Sequence, residues 1–200
     1  MAESFRCALL LLAAGGSRRM GQPKQLLPID GQPLLRRVAA GALAAPVAPV
    51  LVVLGAQAAA IAPCLDGLAV QTVVNARWAE GMATSVRAGL QALANAAPAV
   101  SAVVIALADQ PDFSAAHLAA LIETHRRTGQ PLVASEAAGV LRPPVLFAAA
   151  WFPRLLALQG DEGARTLLQA HRAAVAVVPL ARAVDLDTPA DYEKFLRDRT

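Results

Sequence analysis

The chain has 200 residues, 56% of them apolar and 16% charged, with a formal net charge of +3. That composition excludes disorder, and the length suits one domain, residues 1–200, with a real core. Every apolar run is broken by Gly, Pro or charge before about 18 residues, so no transmembrane helix is expected. The charge is modest and the arginines are scattered, which argues against a nucleic-acid-binding surface and suits one small polyanionic ligand.

The chain opens on MAESFRCALLLLAAGGSRRM. Arg6, an apolar run and small residues imitate a signal peptide. The run is short, Glu3 precedes it and a glycine-arginine segment follows directly, so Cys7 to Leu12 reads as the first core strand of a cytoplasmic protein. Turn chemistry at Asp30-Gly31 follows. Leu34 to Ala44 shows helical spacing, Val50 to Leu54 a short strand, Ala56 to Cys64 a helix and Val70 to Val74 a third strand. Asn75 to Met82 is irregular and leads into a helix over about Ala83 to Ala94. Ser101 to Ala108 reads as a buried strand ending at Asp109-Gln110-Pro111, and Ser114 caps a helix running to about Thr128. Leu132 to Ala134 is a strand, Ser135 to Pro144 is polar and turn-rich, and Val145 to Phe147 is a short strand. Pro153 to Leu158 and Gly163 to Ala170 are helical, Ala174 to Pro179 a strand, and Val184 to Asp187 extended. A last helix starts at Pro189 and runs to Arg199. This alternation predicts an α/β fold: a three-layer, Rossmann-like, mostly parallel sheet with helices on both faces. The two cysteines, Cys7 and Cys64, fit buried free thiols better than a disulfide or a metal site. His117, His125 and His171 show no ligand spacing.

Ligands of such sheets bind beyond the carboxyl ends of the strands. There the chain places Leu12, Ala13, Ala14, Gly15, Gly16 and Ser17, whose small side chains let backbone N–H groups approach an anion. Arg18, Arg19 and Lys24 add charge. Neither G-x-x-x-x-G-K-[ST] nor G-x-G-x-x-G is present, so this is neither a P-loop nor a dinucleotide fingerprint. Asp109, directly after an apolar strand, can be a Mg²⁺ ligand or a turn residue; joined to the glycine loop, the metal role is the stronger. Asp112 suits a turn or a helix cap. Asp185 and Asp187 alternate on an extended segment, so one of them faces the site; Asp187 can also cap the last helix. Ser85 can cap a helix or meet a base edge, because a hydroxyl both donates and accepts. Asn75 is a weaker candidate for the base. Arg142, beside two prolines, can hold a phosphate on a rigid loop or stand exposed in a turn.

The first segment resembles the signature L-x-x-G-x-x-x-R-x-G-x-x-K of sugar-phosphate and cofactor nucleotidyltransferases, with Leu12, Gly15, Arg19, Gly21 and Lys24 in place. Nearly the whole chain resembles the molybdenum cofactor cytidylyltransferases, within the molybdopterin nucleotidyltransferases. The segments are LAAGGSRRMGQPKQLL, NARWAEGMATSVRAGL, ALADQP, RPPVLF, GDEGAR and DLDTPADY, in that order. The resemblance implies a nucleotide-diphospho-sugar transferase-like domain that moves CMP from CTP to the terminal phosphate of molybdopterin, releasing pyrophosphate. LAAG with GMATSV implies a cytidine nucleotide, and GDEGAR the molybdenum-cofactor branch. By the same resemblance Asp109 and Asp187 hold Mg²⁺ (or Mn²⁺), Arg19 and Lys24 neutralise the phosphates, and Ser85 lines the base pocket. A molybdoenzyme or its chaperone would take the product. Arg142-Pro143-Pro144 stands where relatives often carry Gly-His-Pro, on the acceptor side.

Overall fold

The computed structural model describes residues 5–97 and 99–199. Strand β1 (Cys7–Ala13) is buried at all seven positions. An unbroken apolar strand of that kind needs helices over both of its faces, and β1 accordingly lies inside the sheet. A small hairpin, β2 (Pro28–Ile29) and β3 (Gln32–Pro33), follows the glycine loop. The main sheet adds β4 (Val50–Leu54), β5 (Gln71–Val74), β6 (Ala102–Leu107), β7 (Leu132–Ala137), β8 (Val140–Ala148) and β9 (Val175–Pro179), in the order β5-β4-β1-β6-β8-β7-β9. Every pairing is parallel except those of β8, which runs against both β6 and β7.

Alternate residues of β1 build two cores. Leu9 and Leu11 join α1 (Leu34–Leu43), α4 (Ala115–Thr128) and α7 (Pro189–Arg197) through Leu35, Leu118 and Phe195. Leu10 and Leu12 join α3 (Met82–Ala96), α5 (Phe152–Leu156) and α6 (Ala164–Ala170) through Val86, Leu155 and Leu168. Each fully buried leucine contributes about 1.5–3 kcal/mol. That is the expected three-layer α/β fold. Cys7 is buried and Cys64 half-buried, both as free thiols, and burial pushes the Cys7 thiol up to about 12.

Two local expectations change. The stretch from Ser135 to Pro144 is not a turn region but a hairpin, with Ser135, Glu136 and Ala137 paired to Arg142, Leu141 and Val140. Its prolines sit where the register slips between Ala134 and Ser135, and a bulge tolerates residues that cannot donate to a ladder. The Ser135 hydroxyl donates to the Pro144 carbonyl there, at 2.7 Å, and stands 2.7 Å from His117 Nε2. The helix expected over Ala56 to Cys64 is only α2 (Ala58–Ile61), continuing as a 3-10 turn, Ala62–Leu65. Pro63 lacks the N–H that an α-helix would use.

Candidate active site

Strands β1 and β6 end side by side, and both chains leave the sheet at the same edge. The Ala108 N–H donates to the Leu12 carbonyl at 3.0 Å, and the Leu186 N–H to the Asp109 carbonyl at 3.0 Å. Those two bonds bring the glycine loop, the end of β6 and the segment after β9 together. Between them lies a cleft of about 570 Å³. Leu12, Ala13, Ala14, Gly15, Gly16, Arg18, Arg19, Lys24, Ser85, Asp109 and Asp187, all anticipated from the sequence, line it.

The loop is held open by its own side chains. Gln25, buried, donates to the carbonyls of Ala13 and Gly15 at 2.7 and 3.0 Å, and the Lys24 N–H donates to the Ser17 hydroxyl at 3.0 Å. Both carbonyls therefore turn toward Gln25. Among the described residues the N–H groups of Gly15 and Gly16 find no partner. A Cβ on Gly15 would meet nothing within 4 Å, whereas one on Gly16 would come within 3.0 Å of the Trp78 ring. Gly16 is thus tightly packed against that ring. Gly15 is not, and what its bareness serves is close approach from the cleft. Ser17 corrects an expectation: it does not line the cleft. Its hydroxyl ties the loop to Lys24 and Gln25.

Lys24 reaches across the floor of the cleft. Its Nζ donates to Asp109 Oδ2 at 2.5 Å and to Asp187 Oδ1 at 3.0 Å, and Arg19 pairs with the other oxygen of Asp187 at 2.9 Å. Burial works against the charge of Lys24, but Asp109 and Asp187 together hold its pKa above that of an ordinary lysine. Burial pushes the Asp109 carboxyl above the usual carboxylate range despite Lys24, with Asp187 and Asp185 adding repulsion. Asp109 Oδ1 is buried and has no hydrogen-bond partner. Among the described residues no group of three His, Cys, Asp or Glu side chains converges for a metal. A Mg²⁺-like ion bound with a triphosphate needs only one or two carboxylates. Two carboxylates, one with an unpartnered buried oxygen, fit that ion.

Three further side chains were misplaced by sequence reasoning. Asn75 does not line the cleft; its amide donates to Thr84 at 2.7 Å and Ser85 at 3.0 Å, and its carbonyl accepts from the Arg77 N–H at 2.9 Å. It brackets the start of α3 and has no group left for a base. Arg142 lies off the cleft, paired through one nitrogen with Asp185 at 2.5 Å, while its buried Nε has no partner. Asp185 itself lines the cleft beside Asp187, since the segment from 184 to 187 forms no ladder and strict alternation does not apply. Trp78 and Asp161, also on the cleft wall, stood in the sequence only as parts of NARWAEGMATSVRAGL and GDEGAR, with no role of their own. Asp112 is not the cap of α4, which is Ser114. A second hollow of about 460 Å³ adjoins across Arg19, Asp185 and Asp187 and carries Arg182 and Lys194.

The MobA-like NTP transferase domain matches this chain over residues 9–175, which takes in the loop, Lys24, Ser85 and Asp109. The chain belongs to that family. As a MobA-like nucleotidyltransferase it is 32% identical over 197 residues to the purine catabolism protein PucB of Bacillus subtilis (strain 168), across 94% of this chain and 95% of that one. The homologue of Mycobacterium tuberculosis rv0371c from mycobacterium sp. strain JC1 superposes with a TM-score of 0.85 at 30% identity, covering 96% of each chain. Rv0371c of Mycobacterium tuberculosis H37Rv, in complex with manganese, superposes at 0.81 and 27% identity, over 96% of this chain and 98% of that one. In this MobA-like chain no helix among the described residues is long and apolar enough to cross a membrane.

Proposed function

We propose that this MobA-like transferase moves CMP from CTP to the terminal phosphate of molybdopterin, or of its molybdenum-loaded form, and releases pyrophosphate. The observation that carries nucleotidyl transfer is Lys24 set between Asp109 and Asp187 under a loop with free N–H groups. The cytidine and molybdopterin assignments rest on the motif resemblance, and Ser85 on the cleft wall supports the first.

In this mechanism an oxygen of the acceptor phosphate attacks the α-phosphorus of the nucleotide. The bond from that phosphorus to the bridging oxygen breaks, and pyrophosphate leaves with the electron pair. The attacking oxygen is already anionic, so no side chain has to remove a proton. Catalysis reduces to position and charge. The N–H groups of Gly15 and Gly16 cradle the triphosphate, and Arg18, Arg19 and Lys24 offset charge on the leaving pyrophosphate. Asp109 and Asp187 would hold a divalent cation, Mg²⁺ or Mn²⁺, whose charge polarises the α-phosphate when bound. The acceptor enters from the hollow beyond Arg19 and Asp187, where Lys194 meets its phosphate.

A different acceptor, a sugar or isoprenoid-precursor phosphate, stays in view for one reason: Arg142, the residue expected to mark the acceptor, lies off the cleft against Asp185. A carrier that binds molybdopterin without turnover has no use for the Asp109–Lys24–Asp187 set. Pyrophosphate release with molybdopterin and a divalent cation, comparing CTP, GTP and ATP, tests all of this. CTP preference supports the proposal. GTP preference keeps the reaction and overturns the base. Release only with another phosphate acceptor overturns molybdopterin, and no release with any acceptor favours the carrier.

A further inference from the structure

The loop from Leu158 to Gly163 is pinned to the start of α3 at three places. Arg87 donates to the Leu158 carbonyl. The Ala83 N–H donates to the Gly160 carbonyl at 3.0 Å. Gly81, at φ +110°, lies so close that a Cβ there would stand 2.2 Å from the Gly160 carbonyl and 2.7 Å from the Asp161 nitrogen. Gly163 is close as well, since its Cβ would sit 2.9 Å from Met82 Sδ. This loop is therefore a fixed wall of the cleft, and Asp161 is its cleft-lining residue with an ionisable side chain. Among the described residues the Asp161 carboxylate has no hydrogen bond and no ion pair. The Asp161 backbone nitrogen stands against Gly81 at the mouth of α3, and Ser85, in the first turn of that helix, lines the same cleft.

Ser85 is held in a particular role. Its hydroxyl oxygen accepts from Asn75 at 3.0 Å, so the hydrogen remains to be donated. The wall thus offers a donor at Ser85 and an acceptor at Asp161. Cytosine shows the complementary edge, with ring N3 and O2 as acceptors and an exocyclic amino group as donor. Uracil reverses it at two positions, with N3–H a donor and O4 an acceptor, and O4 would face a carboxylate that cannot donate. We propose that Asp161 is a base-selecting residue, accepting a hydrogen bond from the amino group of the nucleobase while Ser85 donates to the ring edge. This rests on the nucleotide-binding role of the cleft and adds the group that discriminates between the pyrimidines.

The test needs no acceptor and no turnover. Titration calorimetry with Mg²⁺ compares CTP and UTP on the wild-type chain and on Asp161→Asn, whose amide can donate as well as accept. Thermal melts confirm that the variant is folded. The wild type is expected to bind CTP about tenfold or more tightly over UTP, the worth of one charge-assisted hydrogen bond. In Asp161→Asn the ratio should fall to within about threefold, chiefly through tighter UTP binding. Equal binding of CTP and UTP by the wild type, or the same ratio in both proteins, overturns the role of Asp161 and leaves nucleotide binding standing. No binding of any triphosphate overturns both.

Discussion

Two acids at the end of the same sheet meet opposite fates. Asp185 has both oxygens filled, Oδ1 by Gln110 at 2.6 Å and Oδ2 by Arg142 at 2.5 Å. Asp109 has one oxygen on Lys24 and the other buried without a partner, and its lysine is shared with Asp187. One carboxylate is satisfied by protein alone. The other is left short of positive charge, and buried groups short of partners are where a fold sacrifices stability for chemistry. The contrast separates support from reaction more sharply than proximity does, because both acids line the same cleft.

The largest expected effect comes from the under-satisfied side. Lys24→Ala should lower pyrophosphate release by about a hundredfold or more, with the circular dichroism spectrum unchanged; wild-type turnover would remove Lys24 from the mechanism. Next, Asp109→Asn tests the cost of charging that site. The folded Asp109 carboxyl titrates above its ordinary value of 3.8, so the native state holds that proton longer than the unfolded chain. Its contribution to stability is therefore complete at low pH and is lost as pH rises from about 4 through the raised value. Urea midpoints of variant and wild type should diverge in favour of the variant over that range. A constant difference would place the cost elsewhere. Millimolar Mn²⁺ should raise the melting temperature of the wild type in the presence of CTP and leave Asp109→Asn nearly unmoved.

On the satisfied side the effects are smaller and different in kind. Asn75→Ala leaves Thr84 and Ser85 without their donor and should cost about 1–3 kcal/mol in urea unfolding. It should weaken CTP binding by loosening Ser85, with no shift in metal dependence. Arg142→Ala should leave CTP affinity within about twofold while raising KM for the acceptor only through movement of Asp185. A large loss of nucleotide affinity there would erase the distinction between the two acids. Smallest of all, a thiol reagent added to the native protein should label Cys64 and spare Cys7, whose burial pushes its thiol up to about 12.

The legible parts of the sequence were those set by short-range rules. β4 spans Val50–Leu54, as its apolar run between turn residues implies, and Ser114 caps α4 by accepting from the His117 N–H. The glycine loop, Lys24, Asp109 and Asp187 came from spacing and from resemblance, and the cleft contains them all. What escaped depends on distant partners. Pro143 and Pro144 look like turn residues, yet the bulge opposite Ala134 and Ser135 places them inside a hairpin. Asn75 and Arg142 look like ligand-binding side chains until Thr84, Ser85 and Asp185 are seen to engage them. Asp161 was marked only as part of GDEGAR, and its place on the cleft wall depends on the close approach of Gly160 to Gly81, 79 positions apart in the sequence.

Trp78 leans on Gly16 in the glycine loop and lines the cleft. The only other tryptophan, Trp151, is buried with its ring 4.8 Å from His171 and 4.7 Å from the Arg154 guanidinium. The molecule therefore carries an optical reporter on the wall of its own cleft and a shielded one elsewhere. A change in intrinsic emission when a nucleotide enters should vanish in Trp78→Phe and persist in Trp151→Phe, which makes binding readable without labels, acceptor or turnover.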